Sequence, residues 1–409
     1  MNNELLRFED ALQQLLSAAV PVTETERLAT NDALGRVLAC DVVSTVDVPP
    51  LDNSAMDGYA VRIADLAAGC ALNISQRIVA GRIGQALEPR TAARIMTGAP
   101  IPLGADTVVM QERCSVAGAA VTINHLPQAG ENIRRRGEDI AIGQAVLRRG
   151  SRIGAAELGV AASVGMAELS VYRRLKVALF STGDELTMPG EALKPGGIYN
   201  SNRSTLYALL HGIGCRVTDF GIVPDNLEST RRVLREAAYG HDLILTSGGV
   251  SVGEEDHVKH AVSAEGALAL WKLAIKPGKP LAFGRIISVG AHDTPSVRTP
   301  AFIGLPGNPV ASFVTFLMLV RPYILKSQGA DVPTPQAQSL RADFSWPGDK
   351  RREFLRVRRN DHGGLDLFPN QSSGVLTSCA WADGLVSNPP DCAIAAGDHV
   401  SFLPFSELM

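Results

Sequence analysis

Between residues 174 and 326, short apolar runs alternate with amphipathic stretches, and nothing else in the chain constrains its fold as strongly. Strands are predicted at 176–181, 216–222, 243–247, 271–274 and 301–304, with helices at 204–210, 227–238, 256–263 and 309–325. Such alternation implies a doubly wound, mostly parallel sheet with helices on both faces. Ligands of such sheets bind beyond the carboxyl ends of the strands, where loops and helix N-termini meet. Four polar segments fall at those ends: STGDEL (181–186), VPDN (223–226), TSGGVSVGEED (246–256) and GLPGNP (304–309).

The flanking sequence has other rhythms. Leu5, Leu6, Ala11, Leu12, Leu15 and Leu16 recur at helical spacing within residues 1–26. Residues 27–146 change to short runs rich in Val, Ile and Thr, such as GYAVR, RIMTG, DTVVMQE and VTIN, separated by turn residues. A second helical pattern at 155–162 is expected to pack beside the N-terminal helix. Residues 1–26 and 147–173 then form one discontinuous domain, with the strand-rich 27–146 inserted into it. After residue 333, FLRVRR, LDLF and HVSFLPF are broken by DHGG and NPPD, which predicts a small β-barrel or sandwich over 333–409. A length of 409 residues accommodates these four parts.

Composition excludes several classes. A formal charge of −3 provides no general attraction to nucleic acid or acidic lipid. The six cysteines, at 40, 70, 114, 215, 379 and 392, form no CxxC pair and no closely spaced framework, so neither a zinc finger nor a disulfide scaffold is indicated. A reducing cytoplasm fits that usage. Glu4, Glu9 and Asp10 interrupt the only early apolar stretch and argue against a secretory signal. The uncharged run 301–320 is long enough to span a bilayer, but GLPGNP divides it into a strand and a helix, which reads as buried core.

The rim segments carry the chemistry. Gly248 and Gly249 permit close backbone approach while Ser247 and Ser251 add hydroxyls, so SGGVS is either an anion cradle or a plain turn after a buried strand. In GLPGNP, Asn308 can cap a helix that has Pro309 as its first residue, and the same helix end points a positive dipole at the rim. Asp184, Glu185, Asp225, Glu254, Glu255 and Asp256 crowd the same region. Crowded carboxylates imply a divalent cation among them, Mg²⁺ being the economical choice, or else solvated acids at helix N-termini, as for Glu254 and Glu255. Pro277 and Gly278 break any helix through WKLAIKPGKP, and a bent loop there could aim Lys272, Lys276 and Lys279 at one ligand. Asp57–Gly58 is compatible with a simple turn, and the charge run Arg134, Arg135, Arg136, Glu138, Asp139 with a solvated face.

Taken together, DNSAMDGYAVR, IMTGAPIPLGADTVVMQE, NIRRRGEDI, FSTGDEL, TSGGVSVGEED, LAIKPGKPLAFG and GLPGNPVAS closely resemble the MoeA family, to which the C-terminal region of the scaffold gephyrin is related. The resemblance runs from about residue 5 to the end, loosely after 333. It implies a molybdopterin-binding fold for 174–326, an elongated discontinuous helical domain, a strand-rich insertion and a C-terminal β-barrel. It further implies a homodimer with a shared cleft, and contacts with other molybdenum cofactor enzymes as further partners. The implied reaction inserts molybdenum from molybdate into adenylylated molybdopterin and releases AMP with a divalent cation.

On that basis Ser247, Gly248, Gly249 and Ser251 cradle phosphate or pterin, Lys272, Lys276 and Lys279 hold anionic oxygens, and Pro306 and Pro309 shape the substrate site. Asp256 positions the cation or the water, supported by Asp225, as a second metal ligand, and Glu185. Asp57, Thr97, Arg134 and Asp139 match positions supplied by the neighbouring subunit. Asn200, where some relatives are expected to carry Asp, is a poor metal ligand. A molybdopterin adenylyltransferase, which lacks the insertion and the barrel, and a gephyrin-like scaffold are the competing expectations.

Overall fold

The computed structural model describes residues 5–66, 70–249, 257–287 and 299–409. The chain divides into two compact units: Met1–Glu26, Gly35–Ala39 and Val171–Met409 form one, Arg27–Leu34 and Cys40–Ser170 the other.

The first unit holds the alternating region. Its six-stranded sheet contains β1 (Lys176–Thr182), β2 (Arg216–Val223), β3 (Leu243–Ser247), β4 (Gly266–Lys272), β5 (Pro280–Ile286) and β6 (Ala301–Leu305), in the spatial order β2-β1-β3-β6-β5-β4. The first four in that order run parallel; β5 and β4 are antiparallel and close one edge as a hairpin. Sequence periodicity finds β4 too late and misses β5. An apolar run such as LAFGRI looks alike in either direction, and only the turn between the two strands decides the pairing.

Side-chain alternation explains the two-sided covering. Val177 and Leu179 pack into one core with Leu206 and Leu210 of α1 (Ser201–Gly212) and with Val310, Val314 and Leu317 of α4 (Pro309–Ser327). The intervening Ala178 and Phe180 pack into a second core with Val233, Leu234 and Ala237 of α2 (Leu227–Ala238) and with Val258, Ala261 and Val262 of α3 (His257–Glu265). The period-2 pattern therefore builds both layers. α4 includes a π-helical stretch at Phe316–Val320 and is long and apolar enough to cross a membrane, yet 94% of its most apolar window is buried in this core.

The N-terminal helix Phe8–Ala18 buries Ala11 and Leu15 in the first of these cores, where it packs on α4. The helix Ala155–Ser163 instead packs within the second unit, against Thr30–Ala33 and the strand Ala145–Leu147.

Residues after 333 form a closed five-stranded barrel from β7 (Gln338–Ala342), β8 (Arg352–Arg359), β9 (Gly364–Leu367), β10 (Gly384–Asn388) and β11 (His399–Pro404). Closure comes from β8, which pairs with both β9 and β10, and leaves no free edge along the ring. A two-residue strand, Ile275–Lys276, leaves the β4–β5 turn and adds to β8 in parallel register, opposite Arg352 and Glu353.

The second unit contains a six-stranded mixed sheet in the order 107–110, 58–61, 91–95, 71–78, 120–123, 114–117. Gly58 begins its strand so close to the neighbouring one that a Cβ would overlap the Val109 carbonyl. Replacing Gly58 by alanine is expected to cost about 1–3 kcal/mol through overpacking. Urea unfolding would show this as a lower midpoint; an unchanged midpoint would contradict the packing described.

Candidate functional site

The carboxyl ends of β1, β2, β3 and β6 open onto a cleft of about 1000 Å³. The loop after β1 brings Gly183 and Glu185, that after β2 brings Asp225, and that after β3 brings Gly248 and Gly249 beside Ser247. Pro306, Gly307, Asn308 and Pro309 complete the floor at the start of α4. Strand-end loops of a parallel sheet converge because their strands run the same way, so residues more than 100 positions apart meet at one rim.

The glycine loop is fixed by backbone chemistry. Gly248 has φ +90°, donates its N–H to the Leu305 carbonyl at 3.1 Å, and would place a Cβ 2.8 Å from the Thr182 carbonyl oxygen. A Cβ on Gly307 would lie 3.8 Å from the Gly248 Cα, so the two glycine-bearing loops stand side by side. Asn308 occupies the N-cap position of α4, but its side chain caps nothing; the Val310 N–H bonds the Ser373 carbonyl at 2.9 Å instead. The carbonyl comes from a barrel loop, 371–374, that lines the same cleft.

The β4–β5 turn supplies the positive charge. It passes through a cis Lys276–Pro277 bond and Gly278 at φ +113°, and the Leu273 N–H bonds the Lys279 carbonyl at 2.6 Å. Lys276 and Lys279 both line the cleft, whereas Lys272 ends β4 and is not among the lining residues. The two lysines differ in their surroundings. The Lys276 ammonium lies 3.1 Å from both Asp349 and the fully buried Glu353, whose other oxygen accepts from the Trp346 indole at 2.7 Å. Burial alone would lower the Lys276 pKa, but its bonds to Glu353 and Asp349 outweigh that and raise it. Lys279 is exposed, and among the described residues no carboxylate pairs with it.

Acidic groups line the same cleft. Asp225 accepts from the Thr182 hydroxyl at 3.2 Å, and its own N–H points to the Asp184 carboxylate at 3.4 Å. Glu185 is exposed on the same rim. Asp225 and Glu185 are therefore the described carboxylates of the cleft, and no group of three metal-ligating side chains occurs among the described residues. Ser251, Glu254, Glu255 and Asp256 lie outside the described residues.

Sequence reasoning did not single out Arg351, Gln371, Ser372 or Ser373 of the barrel, which also line the cleft. No local pattern marks them; they arrive because Ile275–Lys276 pairs with β8 and because Ser373 caps α4. Asn200 is 2% exposed and caps α1 through its side-chain oxygen, which accepts from the Arg203 N–H at 3.1 Å.

The remaining candidates belong to the second unit. Asp57 accepts from both the backbone N–H and the hydroxyl of Thr97, each at 2.7 Å. Those two bonds, the backbone one first, hold its carboxyl below the usual range. Arg134 and Asp139 are exposed. Between them the charge run is pinned by ion pairs, Arg135 to Asp52 at 2.7 Å and Arg136 to Asp47 at 2.6 Å.

Comparison with known proteins places this geometry. Residues 6–165 match the MoeA N-terminal region (domain I and II), 178–326 a probable molybdopterin binding domain, and 339–405 the MoeA C-terminal region (domain IV). A molybdopterin molybdenumtransferase of Haemophilus influenzae is 43% identical over 99% of this chain and 100% of its own length. Another, from a Nostoc species, is 40% identical over 93% of this chain and 88% of its own. The crystal structure of the molybdopterin biosynthesis moeA protein from Pyrococcus horikoshii OT3 superposes with a TM-score of 0.84 at 26% identity, covering 98% of this chain and all of that one. With three matched regions between residues 6 and 405 and a relative 43% identical over its full length, the chain belongs to the MoeA family.

Proposed function

We propose that the protein inserts molybdenum into adenylylated molybdopterin, taking molybdate as the metal source and releasing AMP. The observation that carries this reading is the meeting of Glu185 and Asp225 with Lys276 and Lys279 in one cleft at the carboxyl ends of the strands. A pyrophosphate-linked nucleotide and an oxyanion need cations and backbone N–H donors, and a divalent ion needs oxygen ligands. The relatives named molybdopterin molybdenumtransferase supply the substrate class.

Each group has a task in that reaction. Ser247, Gly248 and Gly249, with Ser251, hold phosphate oxygens, and Pro306 and Pro309 bound the substrate on the α4 side. Lys279 and Lys276 meet the anionic oxygens, Lys276 while bound to the barrel. Asp225 and Glu185 fit Mg²⁺, which commonly takes one or two protein carboxylates together with substrate phosphates. Bound there, Mg²⁺ would neutralise charge on the phosphoanhydride. Asp256 orients the water whose attack on phosphorus breaks that anhydride, leaving AMP and the molybdopterin phosphate. A second copy of the chain supplies Asp57, Thr97, Arg134 and Asp139 to the cleft, and the dimer works in the cytoplasm. Asp57, already ionised and held by Thr97, would be a fixed negative group rather than a proton donor at neutral pH.

AMP release from adenylylated molybdopterin with molybdate and Mg²⁺ tests the assignment. Asp225→Asn is expected to lower the rate about 10- to 100-fold and to raise the Mg²⁺ concentration needed for half-maximal activity. Asp256→Asn is expected to abolish release while leaving the dimer intact. Full turnover by Asp256→Asn would remove it from the reaction.

A further inference from the structure

We propose that Tyr199 is the platform on which the flat fused heterocycle of the substrate stacks. Among the described residues, Tyr199 is the only aromatic lining the cleft. It remains 47% exposed although it belongs to a strand, Ile198–Tyr199, that lines the cleft. A half-exposed aromatic ring gains little from folding, whereas a planar ligand laid on it would bury that surface.

The ring is also held in place. Its hydroxyl donates to the Glu191 carbonyl at 3.1 Å, and the strand pairs in parallel with Leu186–Thr187, placing Tyr199 opposite Thr187. The Ile198 N–H bonds the Glu185 carbonyl at 2.8 Å, which joins the platform directly to the residue carrying a rim carboxylate. On its other side, Asn202 donates to the Gly307 carbonyl at 2.7 Å, so α1 leads from the platform to the glycine floor. A phosphate-bearing ligand on that floor thus has one aromatic surface within the same cleft. A hydroxyl tied to the backbone loses little further freedom when a ring stacks on it, which favours stacking over a role as proton donor.

The inference rests on the cleft being the site of molybdopterin chemistry, and two ring systems in that substrate fit it: the pterin and the adenine of the adenylyl group. AMP and a 6-substituted pterin, used separately as fluorescence or calorimetric probes, distinguish them. Tyr199→Ala is expected to weaken one of the two about tenfold, in the range of ring–aromatic stacking. Tyr199→Phe should retain binding, and the melting temperature of both variants should match the parent because the ring is half exposed. Loss with AMP assigns the adenine, and loss with the pterin assigns the pterin. Binding by the parent that Tyr199→Ala leaves unchanged overturns the platform alone. Failure of the parent to bind either probe overturns the reading of the cleft, and the platform with it.

Discussion

Gly248→Val is expected to weaken binding of adenylylated molybdopterin about 10- to 100-fold and to lower the melting temperature. At φ +90° an L side chain is strained, by about 1–3 kcal/mol, and here its Cβ would also stand 2.8 Å from the Thr182 carbonyl oxygen. Neither backbone can yield easily, because the Gly248 N–H is bonded to Leu305 in the next strand. The loop must then turn away from the floor it forms with Gly307. Gly307→Ala is the informative control: its methyl would make only an ordinary contact, 3.8 Å from the Gly248 Cα. That variant should keep its melting temperature, so any loss of affinity would report the approach of ligand to the floor. Equal stability and affinity in Gly248→Val would contradict the account of the loop.

The second large effect separates two lysines that look equivalent in the sequence. Lys279→Met is expected to reduce turnover on the order of 100-fold, as removal of one donor to a reacting oxyanion does, without changing stability. Lys276→Met should reduce stability as well, because it strips Asp349 and the fully buried Glu353 of their shared cation. The Lys276 side chain is 39% exposed, which keeps the expected cost to about 1–2 kcal/mol. The pH dependence follows from the signs. With its pKa raised in the fold, Lys276 contributes fully below the ordinary lysine range, and the contribution is lost as pH rises through the folded value. Asp349, held well below the carboxylate range by Arg351 first and Lys276 among the rest, keeps its share until strong acid. Chemical denaturation of the two variants near neutral pH, with AMP release measured alongside, checks the division; matching stabilities would contradict it.

These lysines also show what a single sequence can and cannot disclose. The alternation through β1, β2, β3 and β6 was legible because period-2 apolar strands between amphipathic helices leave one arrangement that covers both faces. It brought Glu185, Asp225, Ser247, Gly248 and Gly249 to one rim without any long-range information. The barrel was legible as strands but not as a wall of the cleft. Arg351 and Ser373 reach the rim through a two-residue strand and a single helix-capping bond, contacts that leave no periodic trace. Lys272 stands apart from Lys276 and Lys279: β4 extends through it and ends opposite Pro280, so the bend that carries the other two to the cleft begins after it. The family resemblance added the substrate and the Asp57, Thr97, Arg134 and Asp139 group, which no local pattern distinguishes from turns and ion-paired surface.

The most direct test of the proposed reaction is to incubate the purified protein with adenylylated molybdopterin and Mg²⁺, with and without molybdate, and to follow AMP and reconstituted cofactor together. Molybdate-dependent formation of active cofactor with stoichiometric AMP is the predicted result. Consumption of ATP on unmodified molybdopterin, or no turnover of either substrate, would contradict it.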